Sequence, residues 1–204
     1  MRMQRLRSIL ELDIISKFFL SQLYTERLWT RSAAFGFLLT SLVFGGIREE
    51  AEAIIEGHFG SGSILVYKKI DLENSVKFHI EQTVKQRFYS SAVYAWVITQ
   101  NDSIKGYALL DNVKGKSMPI TFIVLYDPKG EVVHSAVVKY REPIGGEVGR
   151  QTWLDQFLGK NKSSAYDEID AISGATISVN SVTKGIHKLT LLFNVIKDDL
   201  TTND

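Results

Sequence analysis

Hydrophobic residues recur along this chain with two different periods, which predict helices in some stretches and strands in others. After Thr176, apolar residues recur at spacings of three and four, which places them on one face of a helix. They are Val179, Val182, Ile186, Leu189 and Phe193. A four-residue spacing, from Val76 to Phe88, predicts an amphipathic helix over residues 72–88, and a further helix is predicted over residues 48–56.

Short apolar runs bounded by turn residues predict the strands. The runs cover residues 64–67, 92–99, 104–110, 120–126 and 131–140. Between the last two, Asp127-Pro128-Lys129-Gly130 has proline at the second position of a β-turn. Helices outside a run of hairpin-linked strands are typical of an α+β fold, and we expect an antiparallel sheet with flanking helices.

An uncharged apolar run, residues 32–47, precedes this domain. Its length fits the apolar region of a signal peptide and is short for a membrane-spanning helix. Arg27 and Arg31 come before the run and glutamates follow it, so the positive-inside rule predicts that the rest of the chain is exported. We expect a signal peptide or a membrane anchor, and an extracytoplasmic (periplasmic) domain, either secreted or anchored. A buried core helix is the alternative, which three glycines in the run disfavour.

The pattern predicts four segments: a basic segment 1–31, the signal or anchor 32–47, a helical and loop lead-in 48–90, and a globular domain 91–200. Six basic and three acidic residues give the first segment a charge of +3, which leaves −2 for the rest of a chain whose net charge is +1. A domain without a basic surplus lacks the electrostatic footprint of a nucleic-acid binder, so we expect no nucleic-acid partner.

The chain contains no cysteine. This excludes disulfides, thiolate metal sites, cysteine-ligated iron-sulfur clusters, c-type haem attachment and lipoprotein anchoring. The four histidines lack metal-ligand spacing, so no metal site is predicted. Any redox chemistry must therefore come from a cofactor held by other atoms.

Candidate chemistry lies directly before the last predicted helix, in Asp170-Ala171-Ile172-Ser173-Gly174-Ala175-Thr176. On composition alone such a stretch is often only a capping loop, with Ser173 or Thr176 as the N-cap. A helix N-terminus also stabilises a phosphate by about 0.3–1 kcal/mol. Gly174 allows a bulky group to approach the backbone, and the small Ala175 leaves the Thr176 hydroxyl accessible.

This stretch resembles the flavinylation motif D-x-x-S-G-A-T of the FMN-binding domain family, which includes flavin-carrying components of the sodium-translocating NADH:quinone oxidoreductase and of the Rnf electron transport complex. The resemblance implies covalent FMN, joined through its phosphate to Thr176. Asp170, Ser173, Gly174 and Ala175 match the recognition motif. It also implies a separate flavin transferase that uses FAD and a divalent metal.

Two upstream stretches carry the same resemblance. Residues 142–149, E-P-I-G-G-E-V-G, resemble the family's glycine-containing loop, spelled E-T-P-G-x-G in the components of those two complexes, and residues 153–157, W-L-D-Q-F, resemble its W-L-x-Q-F segment. The resemblance implies that Glu142, Gly145 and Trp153 lie near the flavin ring. A plain core position is the alternative for Trp153, because large aromatic residues are usually buried for packing.

The resemblance implies an extracytoplasmic electron-transfer flavoprotein, either a lone carrier or a subunit of a membrane redox complex, rather than a stand-alone enzyme. Thr176 would be a tether, and no residue is expected to be catalytic. The implied partners are the flavin transferase, redox proteins or a quinone-linked membrane complex, and the membrane through the N-terminal segment. An exported binding or scaffold module without flavin is the alternative, although it would have no need of the Thr176 hydroxyl. A reductase with its own substrate would need a pocket beside the flavin.

Overall fold

A computed structural model describes residues 46–201. Helix α1 covers residues 46–59, and the remaining helices are α2 (Asn74–Val84), α3 (Gln151–Leu154) and α4 (Thr176–Thr201). The strands are β1 (Ile64–Asp71), β2 (Ala92–Gln100), β3 (Ser103–Lys114), β4 (Pro119–Tyr126) and β5 (Val132–Lys139). Two 3-10 turns, Gly146–Gly149 and Asp155–Phe157, flank α3.

The α+β fold with an antiparallel sheet and flanking helices is confirmed over the described residues. The five strands pair in the order β1-β2-β3-β4-β5, so each strand is antiparallel to the next along the chain. β1 pairs with β2 along its whole length, which joins the predicted lead-in 48–90 to the sheet of the predicted domain 91–200.

Both faces of the sheet are covered. One face packs against α2, α3 and α4, and the other packs against Ala51 and Ile55 of α1. β2 and β4 lie inside the sheet and are buried on both sides, which explains why they are almost continuously apolar instead of alternating. Within β2, Ala95 and Val97 face the α4 side while Trp96 and Ile98 face α1.

Helix α4 is the main cover of the sheet and buries the face that its spacing predicts, including Val182, Ile186 and Leu189. Gly185 brings it close to the strands, because a Cβ at this position would lie 2.8 Å from Phe122 Cζ and 2.8 Å from Val113 Cγ1. The part of α4 around Gly185 is thereby held close to β3 and β4.

The predicted helix over residues 72–88 is shorter in the structure. It ends at Val84 because Lys85 adopts a left-handed conformation, with φ 55°. The following residues make tertiary contacts instead, since the Phe88 N–H donates to Glu81 Oε1 at 2.7 Å and Gln86 Nε2 donates to the Ser181 carbonyl at 3.0 Å. The spacing that predicted a helix here reflects burial of Phe88 beside the helix end.

The predicted segment 1–31 and nearly all of the predicted signal or anchor 32–47 lie outside the described residues. Within residues 46–201, no helix combines the length and the apolar character that a membrane crossing requires.

Candidate functional site

Three segments that are far apart in sequence meet at the start of α4 and form an open cleft of about 460 Å³. One wall is the turn between β3 and β4, the second is the loop after β5, and the third is the first turn of α4 with the residues before it. The lining residues are Lys116, Ser117, Met118, Glu142, Pro143, Ile144, Gly174, Ala175, Thr176, Ile177 and Ser178. The cleft therefore joins the predicted motif to the predicted glycine loop.

The segment before α4 is a tight turn that presents Thr176. The Ala175 N–H donates to the Ile172 carbonyl at 3.0 Å, and Gly174 takes a positive φ of 79°, a conformation that favours glycine. A side chain at Gly174 would meet no atom within 4 Å, so the backbone there faces open space. Thr176 is the first residue of α4 and is exposed, while Ala175 before it is buried.

The first turn of α4 offers two hydroxyl groups to the cleft, and they differ in accessibility. Ser178 is 5% exposed and its Oγ lies 2.9 Å from the Tyr140 hydroxyl. Thr176 is exposed to solvent, at the end of a helix whose first N–H groups have no partner within the helix. Of these two residues, only Thr176 is open to solvent, and it lies beside N–H groups that can bind an anion.

Glu142 holds the β3–β4 turn against the loop after β5. Its Oε1 accepts hydrogen bonds from the backbone N–H groups of Ser117 at 2.6 Å and Met118 at 2.9 Å. The hydrogen bond from Met118 lowers the pKa of Glu142 most, and the one from Ser117 lowers it further. Glu142 is therefore an anion at neutral pH. Gly115 makes the approach possible, because a Cβ there would lie 2.6 Å from Glu142 Oε1. Glu142 thus lines the cleft, and its Oε1 is hydrogen-bonded to the turn that forms one wall.

Gly145 is buried beneath the cleft, where the loop after β5 meets α4. It has a φ of 90°, and a Cβ at this position would lie 2.7 Å from the Tyr140 hydroxyl and 3.0 Å from Ser178 Oγ. The same Tyr140 hydroxyl donates to the Ile144 carbonyl at 2.5 Å. Gly145 therefore acts by allowing close packing between the loop and the helix.

Trp153 lies in the core and does not line the cleft. Its side chain is 7% exposed and packs edge-on against Phe157. Its indole N–H donates to the Asp170 carbonyl at 2.9 Å, and the Asp170 N–H donates to Gln156 Oε1 at 2.9 Å. The Asp170 side chain is exposed. Two residues of the predicted W-L-x-Q-F segment thus form hydrogen bonds to the backbone of Asp170, the first residue of the predicted motif.

Apolar side chains project around the cleft although they are exposed. Met118 is 46% exposed, Ile144 74% and Ile177 49%, one from each wall. An apolar rim around a concave site is typical of surfaces that bind a ligand or a partner. Lys116 adds a positive charge to the same wall as Met118.

The turn residues 116–118, Tyr140 and Ser178 were not predicted as parts of the site. The available indication was the gap between the predicted strands 104–110 and 120–126, which contains Gly115 and no strand pattern. Two features bring this turn close to the motif. The β3–β4 register pairs Lys114 with Pro119, and the Ser181 hydroxyl of α4 donates to the Lys114 carbonyl at 2.7 Å.

Comparison with protein families gives a match to the family model described as the FMN-binding domain, over residues 115–190. The match begins at the β3–β4 turn and ends within α4, so it contains every residue that lines the cleft and every predicted site residue. The chain carries an FMN-binding domain. No curated protein matches the chain.

The cleft of the FMN-binding domain suits this cofactor. Its volume lies within the range of about 300–1,000 Å³ for small-molecule sites. The apolar rim offers contacts for a flat aromatic ring, and the start of α4 offers a place for a phosphate. Gly174, two residues before Thr176, leaves open space at this side of the cleft.

Proposed function

We propose that the FMN-binding domain holds FMN through a phosphoester to Thr176 and serves as an extracytoplasmic electron carrier, alone or as a subunit of a membrane redox complex. The observation that supports this most directly is the exposed Thr176 hydroxyl at the start of α4, inside a cleft with an apolar rim.

Attachment requires a flavin transferase and FAD as the donor. The Thr176 oxygen attacks the phosphorus on the FMN side of the FAD pyrophosphate, so a new P–O bond forms while the pyrophosphate P–O bond breaks. AMP leaves, and the hydroxyl proton is lost to a base of the transferase or to water. No electron moves in this step, and Thr176 takes part in it once.

In this proposal, the residues of the chain hold the cofactor by three kinds of contact. The first turn of α4 and Lys116 would hold the negative phosphate, and Met118, Ile144 and Ile177 would contact apolar ring surface. Bound FMN supplies one- and two-electron redox chemistry. Because the cleft is open and its rim is exposed, a partner protein can reach its contents without a large rearrangement.

The covalent link is tested by co-expressing the chain with a flavin transferase and comparing wild type, Thr176→Ala and Thr152→Ala. Thr152 is a matched control because it is also an exposed threonine near a helix start, but outside the cleft. We expect wild type and Thr152→Ala to gain the mass of one FMN minus water, and each to give a band with flavin fluorescence in a denaturing gel. Thr176→Ala should gain neither while keeping its unfolding free energy within about 0.5 kcal/mol of wild type.

Flavin that stays bound covalently in Thr176→Ala would contradict the proposed linkage, and a colourless wild type would favour a flavin-free binding or scaffold module. The location is tested separately, by adding protease to intact spheroplasts of the expressing cells. We expect the fluorescent band to be digested, and a band that survives until the cells are lysed would contradict an extracytoplasmic carrier.

A further inference from the structure

Two side chains of the short segment 153–156 form hydrogen bonds to the backbone of Asp170, one to its carbonyl and one to its N–H. The Trp153 indole N–H donates to the Asp170 carbonyl at 2.9 Å, and the Asp170 N–H donates to Gln156 Oε1 at 2.9 Å. Gln156 is oriented in turn, since its Nε2 donates to the Trp153 carbonyl at 3.2 Å. These three bonds form a closed arrangement, which we call the Asp170 clamp.

The clamp is anchored in the core and not at the surface. Trp153 packs edge-on against Phe157, which is fully buried, and Leu154 between them is also buried. Side chains fixed by packing hold their hydrogen-bonding groups in one place. Asp170 is therefore attached to the rigid part of the domain.

The stretch that the clamp holds has no helix or strand of its own. Residues 170–175 run from the clamp to the first turn of α4, and the turn closed by the Ala175 N–H and the Ile172 carbonyl is their main internal constraint. One end is fixed by α4 and the other by the clamp. Asp170, Ser173 and Thr176, which lie between and at these two fixed ends, are all exposed.

We propose that Trp153 and Gln156 are positioning residues for the modification of Thr176. This inference rests on the proposed function. The clamp holds the loop in the shape that the flavin transferase binds, so the transferase does not have to order the loop itself. Loss of the clamp leaves the fold intact and makes the loop a poorer substrate, because ordering a free loop costs conformational entropy.

The test compares Gln156→Ala and Trp153→Phe with wild type, using purified transferase, FAD and a divalent cation, with intact mass as the rate assay. Trp153→Phe keeps an aromatic ring in the core and removes the indole N–H. Gln151→Ala is the matched control, because Gln151 lies on the same short helix as Trp153 and its side chain donates to Asp155 Oδ1 instead of to the loop. Amide hydrogen exchange at residue 170 and thermal unfolding are measured on the same proteins before flavin is added.

For Gln156→Ala we expect faster exchange at residue 170 and a transfer kcat/KM about tenfold lower, the fold-change that corresponds to one lost hydrogen bond. Gln156→Glu keeps an acceptor for the Asp170 N–H, so it should restore much of the exchange protection and of the transfer rate. Gln151→Ala should resemble wild type in both measurements.

Unchanged transfer in variants that have lost protection at residue 170 would overturn the positioning role while leaving the proposed function in place. A loss of transfer that follows the melting temperature, in the control as well as in the clamp variants, would also overturn it. A wild type that accepts no flavin would overturn the proposed function itself. Hydrogen exchange at residue 170 is measured without flavin, so it still shows in that case whether the clamp orders the loop.

Discussion

Gly145 shows how a single residue shapes the cleft from below. The loop after β5 reaches α4 only because no side chain separates it from the Tyr140 hydroxyl and Ser178 Oγ. Its φ of 90° adds a second constraint, since residues with a Cβ rarely adopt this conformation.

We expect Gly145→Ala to lower the free energy of unfolding by about 1–3 kcal/mol, because the substitution combines an unfavourable φ with a close contact to Tyr140. Urea unfolding measures the change. Gly146→Ala is the matched control: its nearest atom would be Tyr140 Cδ1 at 3.5 Å and its backbone is not left-handed, so we expect a change below about 0.5 kcal/mol. Equal effects of the two substitutions would show that the packing at Gly145 does not matter.

Helix α4 is tied to the sheet by a buried ion pair as well as by apolar packing. Lys188 Nζ lies 3.0 Å from Asp111 Oδ2 of β3, and both side chains are almost fully buried. Lys188 also donates to the Arg87 carbonyl at 3.2 Å and lies 4.4 Å from the centre of the Phe88 ring. The pair thus connects α4, β3 and the segment after α2.

Removing one partner of this pair leaves a buried charge without compensation. We expect Lys188→Met and Asp111→Leu each to lower the free energy of unfolding by about 3–5 kcal/mol, and the double variant to lower it by clearly less than the sum. Urea unfolding of the four proteins gives the coupling free energy directly. Additive losses would mean that the two charges do not stabilise each other.

The elements themselves were largely predictable from sequence, and the errors have physical reasons. β2 and β4 were predicted to within a residue of their bounds, because both are apolar runs that end at turns. β1 extends to Asp71, four residues further than predicted, since Lys68 and Lys69 interrupt the apolar pattern in a strand at the edge of the sheet.

The candidate site was predictable only in part. The stretch from Asp170 to Thr176 could be recognised because its residues are contiguous and precede a strongly periodic helix. Contacts across the fold could not be predicted this way. The hydrogen bonds from Ser117 to Glu142 and from Trp153 to Asp170 join residues 25 and 17 positions apart, and no local pattern indicates them.

At the scale of the whole molecule, the two faces of the sheet are covered by different parts of the chain, and histidines lie where α1 meets β5. His58 and His134 stack with their ring centres 5.3 Å apart. Burial lowers the pKa of both, and for His134 the charge of His58 lowers it further while Asp155 opposes the shift.

A histidine whose pKa is lower in the folded state binds a proton more readily when unfolded. Stability is therefore full above the ordinary pKa of 6.5 and falls as the pH drops below it. We expect the free energy of unfolding to decrease between pH 7 and pH 5, and to decrease less in His58→Gln/His134→Gln. His79→Gln is the control, because His79 is exposed on α2. A double variant with the same pH profile as wild type would exclude this pair as the source.

The strand order also bears on how the chain reaches its native state. Each strand pairs with the next one along the chain, so the sheet can grow by adding hairpins, and such short-range pairings favour rapid folding. α4, in contrast, is the last of the described elements, and it packs on strands that lie far before it in the sequence. Its first turn, with Thr176, therefore depends on strands that must already have paired, so a modifying enzyme that needs this turn would act on folded chains and pass over unfolded ones.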